Sequence, residues 1–418
     1  MSTKNSDSKS STLSGPISRR SLLQAGGFAA ALGMPIPFIE KLAPGIIPAA
    51  LAQAPRDPAA LKPGLTILGD RPLNMETPPH LLDEDISSGA RMFVRNNGLP
   101  PILTDADIEN WRLVIDGEVE NPLDLSIVDL QRDFETVSLR LQIECAGNGR
   151  RFMKPAARGN QWSFGAISCA EWTGVRLRDV LLRAGLKKSA LYTAHHSADT
   201  HLSGDPKKAP ISRGIPIIKA LEAHTLIAFG MNGTAIPALN GHPLRLVASG
   251  WPGSCSQKWL TGIEIRDRVH DGAKMTGQSY RVPAYSVAPG TVVPDTDMRI
   301  IEALPVKSLI TAPQTGVRVG AGVAFDVRGA AWAGDLAVAA LDISVDFGAS
   351  WTRARLDPPA NKYAWQRWRT ELRFAQAGYY EIWARARDEA GNMQPAIPPG
   401  WNPRGYLNNM QHRIAVFA

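Results

Sequence analysis

The sequence predicts an α+β fold, in which a mixed α+β domain is followed by a small β-sandwich. Up to about residue 300, alternating strand-like runs are interspersed with short amphipathic helical segments. Beyond that point the runs are short, alternating and separated by regular turns, and helical periodicity is almost absent. The length of 418 residues is comfortable for two domains of this kind.

The elements of the first domain follow one another in a recognisable order. Residues 53 to about 80 are rich in proline and polar residues, so we expect an extended leader that lies over the surface. Strands are predicted over residues 111–115, 137–143, 226–229, 244–247 and 260–265. Helices are predicted over 177–185 and 217–221, and Asn232-Gly233 indicates a hairpin.

The second domain is predicted to be a β-sandwich of roughly 115 residues. Its alternating runs cover residues 323–327, 341–347, 365–374 and 379–386. We therefore place the domain boundary between residues 298 and 299. The predicted domains are 53–298 and 299–418.

Composition and charge exclude several classes of protein. The formal net charge is +7, and the first 52 residues contribute +3 of it, so the remaining +4 is too small to indicate a nucleic-acid partner. The three cysteines form neither a CxxC nor a CxxCH pattern. A disulfide framework, a zinc ribbon and a c-type haem in this chain are therefore disfavoured.

The first 52 residues are typical of an export signal. Arg19 and Arg20 are followed by two leucines and a moderately apolar stretch, and Ala50-Leu51-Ala52 offers a cleavage site. The pattern resembles a twin-arginine signal, which directs folded proteins to the periplasm. Glycines and prolines interrupt the apolar stretch, so we expect no membrane span in the mature protein.

Cys145 is the sharpest single chemical feature. It follows a predicted strand and enters a Gly-Asn-Gly turn, where the backbone can approach a ligand closely. Arg150 and Arg151 come soon after, and nearby positive charge favours the thiolate. Such a thiolate suits a soft metal or covalent catalysis, and a buried structural cysteine is an equally good interpretation from these facts alone. Cys169 and Cys255 are expected to be buried small residues.

Other polar residues are weaker candidates. Arg95 and Arg404 lie in Gly/Asn-rich segments and could bind an oxyanion, although each arginine taken singly is more often solvated or salt-bridged. His195, His196 and His201 surround Asp199, but their spacing matches no metal-site template. We interpret that cluster as a polar loop.

Six short motifs, taken together and in order, resemble the sulfite oxidase family of molybdopterin enzymes. They are Phe93-Val94-Arg95-Asn96, Glu144-Cys145-Ala146-Gly147-Asn148, Gly165-Ala166-Ile167-Ser168 with Glu171-Trp172-Thr173-Gly174, Pro243-Leu244-Arg245, Lys258-Trp259-Leu260 and Trp401-Asn402-Pro403-Arg404-Gly405. The resemblance implies a molybdopterin-binding catalytic domain followed by an immunoglobulin-like dimerisation domain.

The resemblance also implies roles for individual residues. Cys145 would ligate molybdenum beside the pterin dithiolene, and Arg95 and Tyr280 would act with it in catalysis. The positions implied around the substrate oxyanion are Arg95, Arg150, Trp162, Tyr280 and Arg404. The positions implied around the cofactor are Phe93, Val94, Arg95, Asn96, Asn97, Cys145, Asp199, Asn240, Arg245, Ser256, Gln257 and Lys258.

Three positions depart from the family pattern. Asn97 and Asn240 stand where histidine is common, and Gly149 replaces one of two consecutive arginines. Asparagine can still donate hydrogen bonds to a pterin or phosphate, but it cannot carry charge. The cofactor therefore remains expected, while affinity for the substrate is open.

The activity implied is oxidation of sulfite to sulfate, with electrons passed to a c-type cytochrome in the periplasm. One alternative is the molybdenum subunit of a sulfane dehydrogenase in a thiosulfate-oxidising complex. A second alternative, from another class, is a scaffold protein without cofactor. We expect one molybdenum-molybdopterin per chain, no haem, and either a homodimer or a complex with a cytochrome subunit.

Overall fold

The computed structural model describes residue 60 and residues 62–418, which belong to one compact unit spanning residues 58–418. Sheet predominates in this unit, and its helices are few and short. The export signal expected over residues 1–52 lies outside the described residues. Across the described part of the chain, no helix combines the length and the apolarity needed to cross a bilayer.

Part of the leader folds into a hairpin whose second strand is buried. Strands β1 (Thr66–Asp70) and β2 (Leu73–Glu76) are antiparallel, and β2 also pairs with β3 (Val94–Arg95). Met75 is fully buried and packs with Val94. The expectation that the leader lies over the surface is therefore wrong for β2, whereas the residues of β1 are exposed or half-buried.

Two sheets form most of the first part of the chain. Their strands are β4 (Arg112–Gly117), β5 (Leu123–Ser126), β6 (Thr136–Glu144), β7 (Ile167–Arg176), β8 (Tyr192–Ser197), β9 (Thr225–Met231), β10 (Thr234–Ala235), β11 (Arg245–Ala248) and β12 (Leu260–Arg266). One sheet has the order β10-β9-β7-β6, with β11 also paired to β9, and the other has the order β5-β4-β12-β8. The five strands predicted in this region are present, with ends shifted by at most two residues.

Local signals explain the turns and helices of this part. Asn232 and Gly233 join β9 to β10 with φ values of 53° and 74°, as a tight hairpin turn requires. Thr104 and Ser126 cap their helices reciprocally with an aspartate three residues later. The α-helices of the described residues are α1 (Asp105–Glu109), α2 (Ile127–Asp133), α3 (Leu177–Ala184) and α4 (Ile217–Ala220). Since they are so short, the α+β designation of this part stays a prediction.

Short 3-10 turns and one small ladder complete the first part. The 3-10 turns cover Pro79–Leu82, Arg150–Phe152, Ala238–Asn240 and Asp295–Asp297. The ladder pairs β13 (Arg281–Pro283) with β14 (Met298–Ile300).

The second part is a β-sandwich. Its strands are β15 (Lys307–Ala312), β16 (Val317–Arg318), β17 (Ala324–Trp332), β18 (Val338–Ser344), β19 (Thr352–Arg353), β20 (Arg355–Leu356), β21 (Gln366–Arg373), β22 (Tyr379–Asp388) and β23 (His412–Phe417). The sheet β15-β17-β21-β20 and the sheet β16-β23-β22-β18-β19 share one apolar core. Val327 and Trp368 of the first sheet and Leu341 and Ile382 of the second are buried in it.

Strand β6 connects this architecture to the site. It pairs with β7 over nine residue pairs, from Thr136 with Val175 to Glu144 with Ile167. The sandwich also contacts it, because the Gln142 side chain donates to the Ala333 carbonyl at 2.7 Å. The residue that follows β6 is Cys145, which is therefore carried by a strand fixed on two sides.

Candidate active site

A cavity of about 640 Å³, counted with its open mouth, lies where β6 ends. Its walls are formed by Met92, Phe93, Arg95, Asn97, Ile143, Cys145, Asp199, Ile211, Asn240, Arg245, Gly253, Ser254, Ser256, Gln257, Lys258, Trp259 and Tyr280. Eleven of the sixteen residues predicted for the site are among them. The five that are not are Val94, Asn96, Arg150, Trp162 and Arg404.

Cys145 is held in the wall by a tight turn. Its backbone N–H donates to the Ala166 carbonyl at 2.9 Å, and its carbonyl accepts from the Asn148 N–H at 2.8 Å. The turn needs glycine at position 147, because a Cβ there would lie 2.2 Å from the Arg150 guanidinium. The Cys145 residue is 6% exposed, whereas Cys169 and Cys255 are fully buried, as expected for structural cysteines. One sulfur ligand, facing a cavity, is what the site offers a soft metal.

Positive charge gathers around Lys274, between Arg95 of the wall and Arg404. The Arg95 guanidinium donates to the Asn97 side chain at 2.8 Å. Burial lowers the pKa of Lys274, and the charges of Arg95 and Arg404 lower that pKa further. Within residues 62–418 none of these three cations has a carboxylate within 4.0 Å, so the region attracts an anion.

A second group of cations lies deeper. Burial lowers the pKa of Arg245 to about 9, and its guanidinium donates to the Asn240 carbonyl at 2.6 Å and the Ser256 carbonyl at 3.0 Å. Burial also lowers the pKa of Lys258 well below its usual range, and the nearby Arg245 charge lowers it further. Lys258 donates to the Leu239 carbonyl at 2.8 Å and to the Asn96 side chain. Buried cations that bond only neutral acceptors favour a charged ligand beside them.

Lys62 completes this group from the leader. Its ammonium donates to the Gly89 and Met92 carbonyls at 2.7 Å each and to the Asn240 Oδ1 at 2.6 Å. Burial lowers the pKa of Lys62 to about 7. Lys62 is not among the residues predicted for the site, because a single lysine in a proline-rich segment carries no local signal for burial.

Several polar atoms around the cavity have no partner. Within the described residues, Asn96 Nδ2, Ser254 Oγ and Gln257 Oε1 are buried and make no hydrogen bond. An unsatisfied buried polar atom costs roughly 1–3 kcal/mol. Asn96 offers a free donor, Gln257 a free acceptor, and the Ser254 hydroxyl can act as either. A ligand whose edge carries both donors and acceptors, as an amide does, could therefore bond here.

Asp199 is the acidic residue of the wall. Burial raises the pKa of its carboxyl, and the hydrogen bond from the Ser197 hydroxyl, at 2.6 Å, partly opposes that rise. The Gln257 side chain donates to the same hydroxyl at 2.7 Å. Asp199 is therefore linked through Ser197 to another wall residue predicted for the cofactor.

Tyr280 closes another side of the cavity in a strained conformation. Its φ of 54° lies in the left-handed region, which costs a non-glycine residue on the order of 1–3 kcal/mol. The ring stacks on Tyr406 with centroids 5.6 Å apart, and the Arg213 guanidinium lies 5.0 Å from its centroid. These contacts hold the side chain in the wall and leave it 5% exposed.

Arg150 and Trp162 lie one layer behind the wall. The Arg150 guanidinium donates to the Arg404 carbonyl at 2.6 Å and the Asn160 carbonyl at 2.7 Å. Trp162 is fully buried, edge-on to Phe93 at 6.1 Å between centroids. The contact of Arg150, Trp162 and Arg404 with a substrate stays a prediction.

The histidine cluster does not form a second site. His195 is fully buried in β8 and bonds the Thr193 hydroxyl at 2.8 Å, and burial lowers its pKa to about 3. His196 is directed instead toward Glu264, at 3.8 Å. Over the described range, no three histidine, cysteine or acidic side chains converge as metal ligands.

Two family descriptions match the chain. "Oxidoreductase molybdopterin binding domain" matches residues 99–274, and "Mo-co oxidoreductase dimerisation domain" matches residues 298–418.

Individual relatives agree with these families. Sulfite oxidase of Gallus gallus is 34% identical over 84% of this chain and 77% of its own length. Mitochondrial sulfite oxidase of Homo sapiens is 34% identical, and the match covers 85% of this chain and 66% of that protein. The crystal structure of the sulfane dehydrogenase SoxCD from Paracoccus pantotrophus superposes with a TM-score of 0.70 at 27% identity, covering 91% of this chain and 96% of that one.

Proposed function

The chain belongs to the sulfite oxidase family of molybdopterin oxidoreductases, and from this premise we propose that it oxidises sulfite to sulfate. One observation carries the proposal: a cavity with a single cysteine in its wall is lined by cations that have no carboxylate partners. A thiolate suits molybdenum as a ligand, and the cations suit an anionic cofactor and an anionic substrate.

The deeper residues fit the cofactor. Lys258 and Arg245 would hold its phosphate, because their buried charges bond only neutral groups. The unpartnered atoms of Asn96 and Gln257 would bond the edges of the pterin. Cys145 would ligate the molybdenum, and the bound cofactor supplies the two-electron oxidant.

The outer cations would bind the substrate. Arg95 and Arg404 lie close enough to Lys274 for their charges to lower its pKa, and a sulfite dianion would relieve that repulsion. Arg150 would act indirectly, because it bonds the Arg404 backbone. Tyr280, fixed in the wall by its stacking on Tyr406, would orient the substrate and assist proton transfer.

A second candidate is the molybdenum subunit of a sulfane dehydrogenase. The fold match to a sulfane dehydrogenase over 91% of this chain favours it. The two candidates differ in substrate: a small free dianion in one, and a sulfane sulfur attached to a carrier thiol in the other.

Steady-state turnover of the molybdenum-loaded chain tests the proposal. We expect oxidation of sulfite with an external one-electron acceptor. Cys145→Ser should keep the pterin and lose turnover, and Cys255→Ser, which changes a fully buried cysteine, is the matched control. Turnover of a sulfane donor without sulfite turnover would support the second candidate. Wild-type activity of Cys145→Ser would refute the role of the thiolate, and protein without molybdenum from a cofactor-making host would favour a scaffold.

We further propose the cellular setting. Residues 1–52 would direct export to the periplasm, where a c-type cytochrome accepts the electrons and the chain itself contains no haem. Cell fractionation of an Arg19→Lys, Arg20→Lys variant tests export: retention in the cytoplasm is expected, and normal export would contradict it. A haem assay of the purified chain tests the proposal that this chain contains no haem.

We also propose that residues 53–298 and 299–418 are the two domains and that the α+β designation applies to the first. The match to a dimerisation domain supports assembly of the chain. We propose a homodimer, with a complex between this chain and a cytochrome subunit as the alternative. Light scattering of the protein purified with and without its partner distinguishes the two assemblies.

A further inference from the structure

Glu144, the residue before Cys145, is buried in an unusual setting. Its carboxylate is part of a side chain that is 1% exposed, and it accepts three hydrogen bonds. The donors are Lys307 Nζ at 2.6 Å, Asn148 Nδ2 at 2.9 Å and Trp332 Nε1 at 2.8 Å. A buried charge is costly unless it is paired and hydrogen-bonded, and this carboxylate has both an ion pair and neutral donors.

Two of these donors come from the β-sandwich. Lys307 begins β15, Trp332 ends β17, and the two residues face each other in the register of that ladder. The sandwich therefore presents a charged donor and a neutral donor side by side, each to a different oxygen of the same carboxylate. This arrangement fixes the carboxylate in both position and rotation.

The third donor connects the carboxylate to Cys145. Asn148 donates through its side chain to Glu144 and through its backbone to the Cys145 carbonyl. Its Oδ1 accepts from the Ala166 N–H at 3.1 Å, and the Ala166 carbonyl accepts from the Cys145 N–H at 2.9 Å. The turn that carries the thiol is thus enclosed in a continuous set of bonds that begins in the sandwich.

We propose that Glu144 is a positioning residue through which the β-sandwich, by Lys307 and Trp332, sets the place of the Cys145 thiolate. The inference rests on the proposed function, in which Cys145 ligates the metal. It gives the second domain a role in the chemistry of the first, besides assembly.

The chemistry requires a carboxylate at this position. Three donors converge on two oxygens, and glutamine would place an NH₂ group where an acceptor is needed. Without Lys307, the carboxylate would be a buried charge with no cation beside it. Either change should move the turn and, with it, the sulfur.

The junction offers a matched control. Lys219 is also buried and bonds Asp335 of the sandwich at 3.1 Å. Its other hydrogen bonds are to Glu222 and Tyr363, and it makes none to the Cys145 turn. Lys219→Met removes a comparable link between the same two parts of the chain. It should lower stability and leave the sulfur in place.

The experiment compares Glu144→Gln, Lys307→Met, Trp332→Phe and Lys219→Met. In the loaded protein we measure the thiolate-to-molybdenum absorption band and the midpoint potential; in the cofactor-free protein we measure the alkylation rate of Cys145 by iodoacetamide. The first three variants should shift the absorption band and the midpoint potential and raise the alkylation rate severalfold. Trp332→Phe keeps the charges of Glu144 and Lys307, so it is the variant expected to remain folded. Lys219→Met should match the wild type.

Two outcomes overturn the inference and are separate from failure of the proposed function. Wild-type bands and alkylation rates in Glu144→Gln and Trp332→Phe would overturn it, as would an equal shift in Lys219→Met. Failure of the proposed function would show differently, as a molybdenum-loaded wild type that does not turn over sulfite, or as turnover and a metal spectrum that survive Cys145→Ser. The alkylation rate needs no bound cofactor, so it reports on the positioning role in either case.

Discussion

The buried ammonium of Lys62 should make the stability of the cofactor-free chain depend on pH, and Lys62→Met isolates that dependence. The ammonium bonds the Gly89 and Met92 carbonyls and the Asn240 side chain, which all belong to segments around the cavity. Its substitution therefore removes one charge and three bonds in the same place. The lost bonds shift the free energy of unfolding by a constant, whereas the lost charge changes how that free energy varies with pH.

The sign and size follow from the pKa. In the folded chain burial lowers the pKa of Lys62 from 10.5 to about 7. Between these values the unfolded chain binds more protons than the folded chain, so the unfolding free energy rises with pH. The full cost, about 5 kcal/mol at about 1.4 kcal/mol per pH unit, is present below pH 7 and disappears as pH approaches 10.5. Relative to Lys62→Met, wild-type stability should rise by about 3–4 kcal/mol between pH 7 and pH 10.

Denaturant unfolding of the two cofactor-free proteins at several pH values provides the measurement. Taking the difference between them removes the titration of groups that both proteins share. Lys62→Arg keeps a charge that does not titrate in this range, so it should lack the rise as well. A wild-type minus Lys62→Met difference that stays constant from pH 6 to pH 10 would refute the reasoning.

Three further perturbations test other parts of the chain. Arg245→Met removes a buried cation, and since a charge-assisted bond contributes about 1.5–3 kcal/mol, pterin content at limiting cofactor should fall roughly tenfold or more. Leu341→Ala, at a fully buried position of the sandwich, should lower the unfolding free energy by about 2–5 kcal/mol in denaturant titrations. Burial lowers the pKa of His412 to about 4, so the unfolded chain takes up the proton first and stability should fall by about 3 kcal/mol from pH 6.5 to pH 4. His412→Gln should reduce this loss of stability at acid pH. An unfolding free energy that varies with pH in the variant as it does in the wild type would contradict the prediction.

Local patterns explain what the sequence could predict. The alternation before Cys145 predicts a strand that ends there, and the small residues after it predict a tight turn; both are present. Asn232-Gly233 determines a hairpin by its own backbone preferences, and α3 shows its apolar face within eight residues. Such features depend on neighbours in the chain, so they can be inferred without knowing the fold.

Features that depend on distant contacts could not be inferred in this way. Lys62 and Asn240 are separated by 178 positions and meet only because the leader folds into a hairpin beside the cavity. Glu144 and Lys307 are separated by 163 positions and meet across the two parts of the chain. Arg150 is a similar case, because its place behind the wall depends on the Arg404 carbonyl, 254 positions away. The motifs therefore predicted which residues belong to the region of the site, but not which of them line the cavity and which lie behind its wall.

The cations of the site explain why one cavity can serve both a cofactor and an oxyanion. Each buried charge is bonded to carbonyl or amide groups, which orient it without neutralising it. Holding Lys62, Arg245 and Lys258 in this way costs stability, as their lowered pKa values indicate. An anionic cofactor bound only by the folded chain would return part of that cost through linkage. Once the cofactor neutralises the deeper charges, Arg95, which shares the wall with Cys145, and Lys274 beside it would remain to bind the substrate. Binding the cofactor first would therefore assign the deeper cations to the cofactor and the outer cations to the substrate.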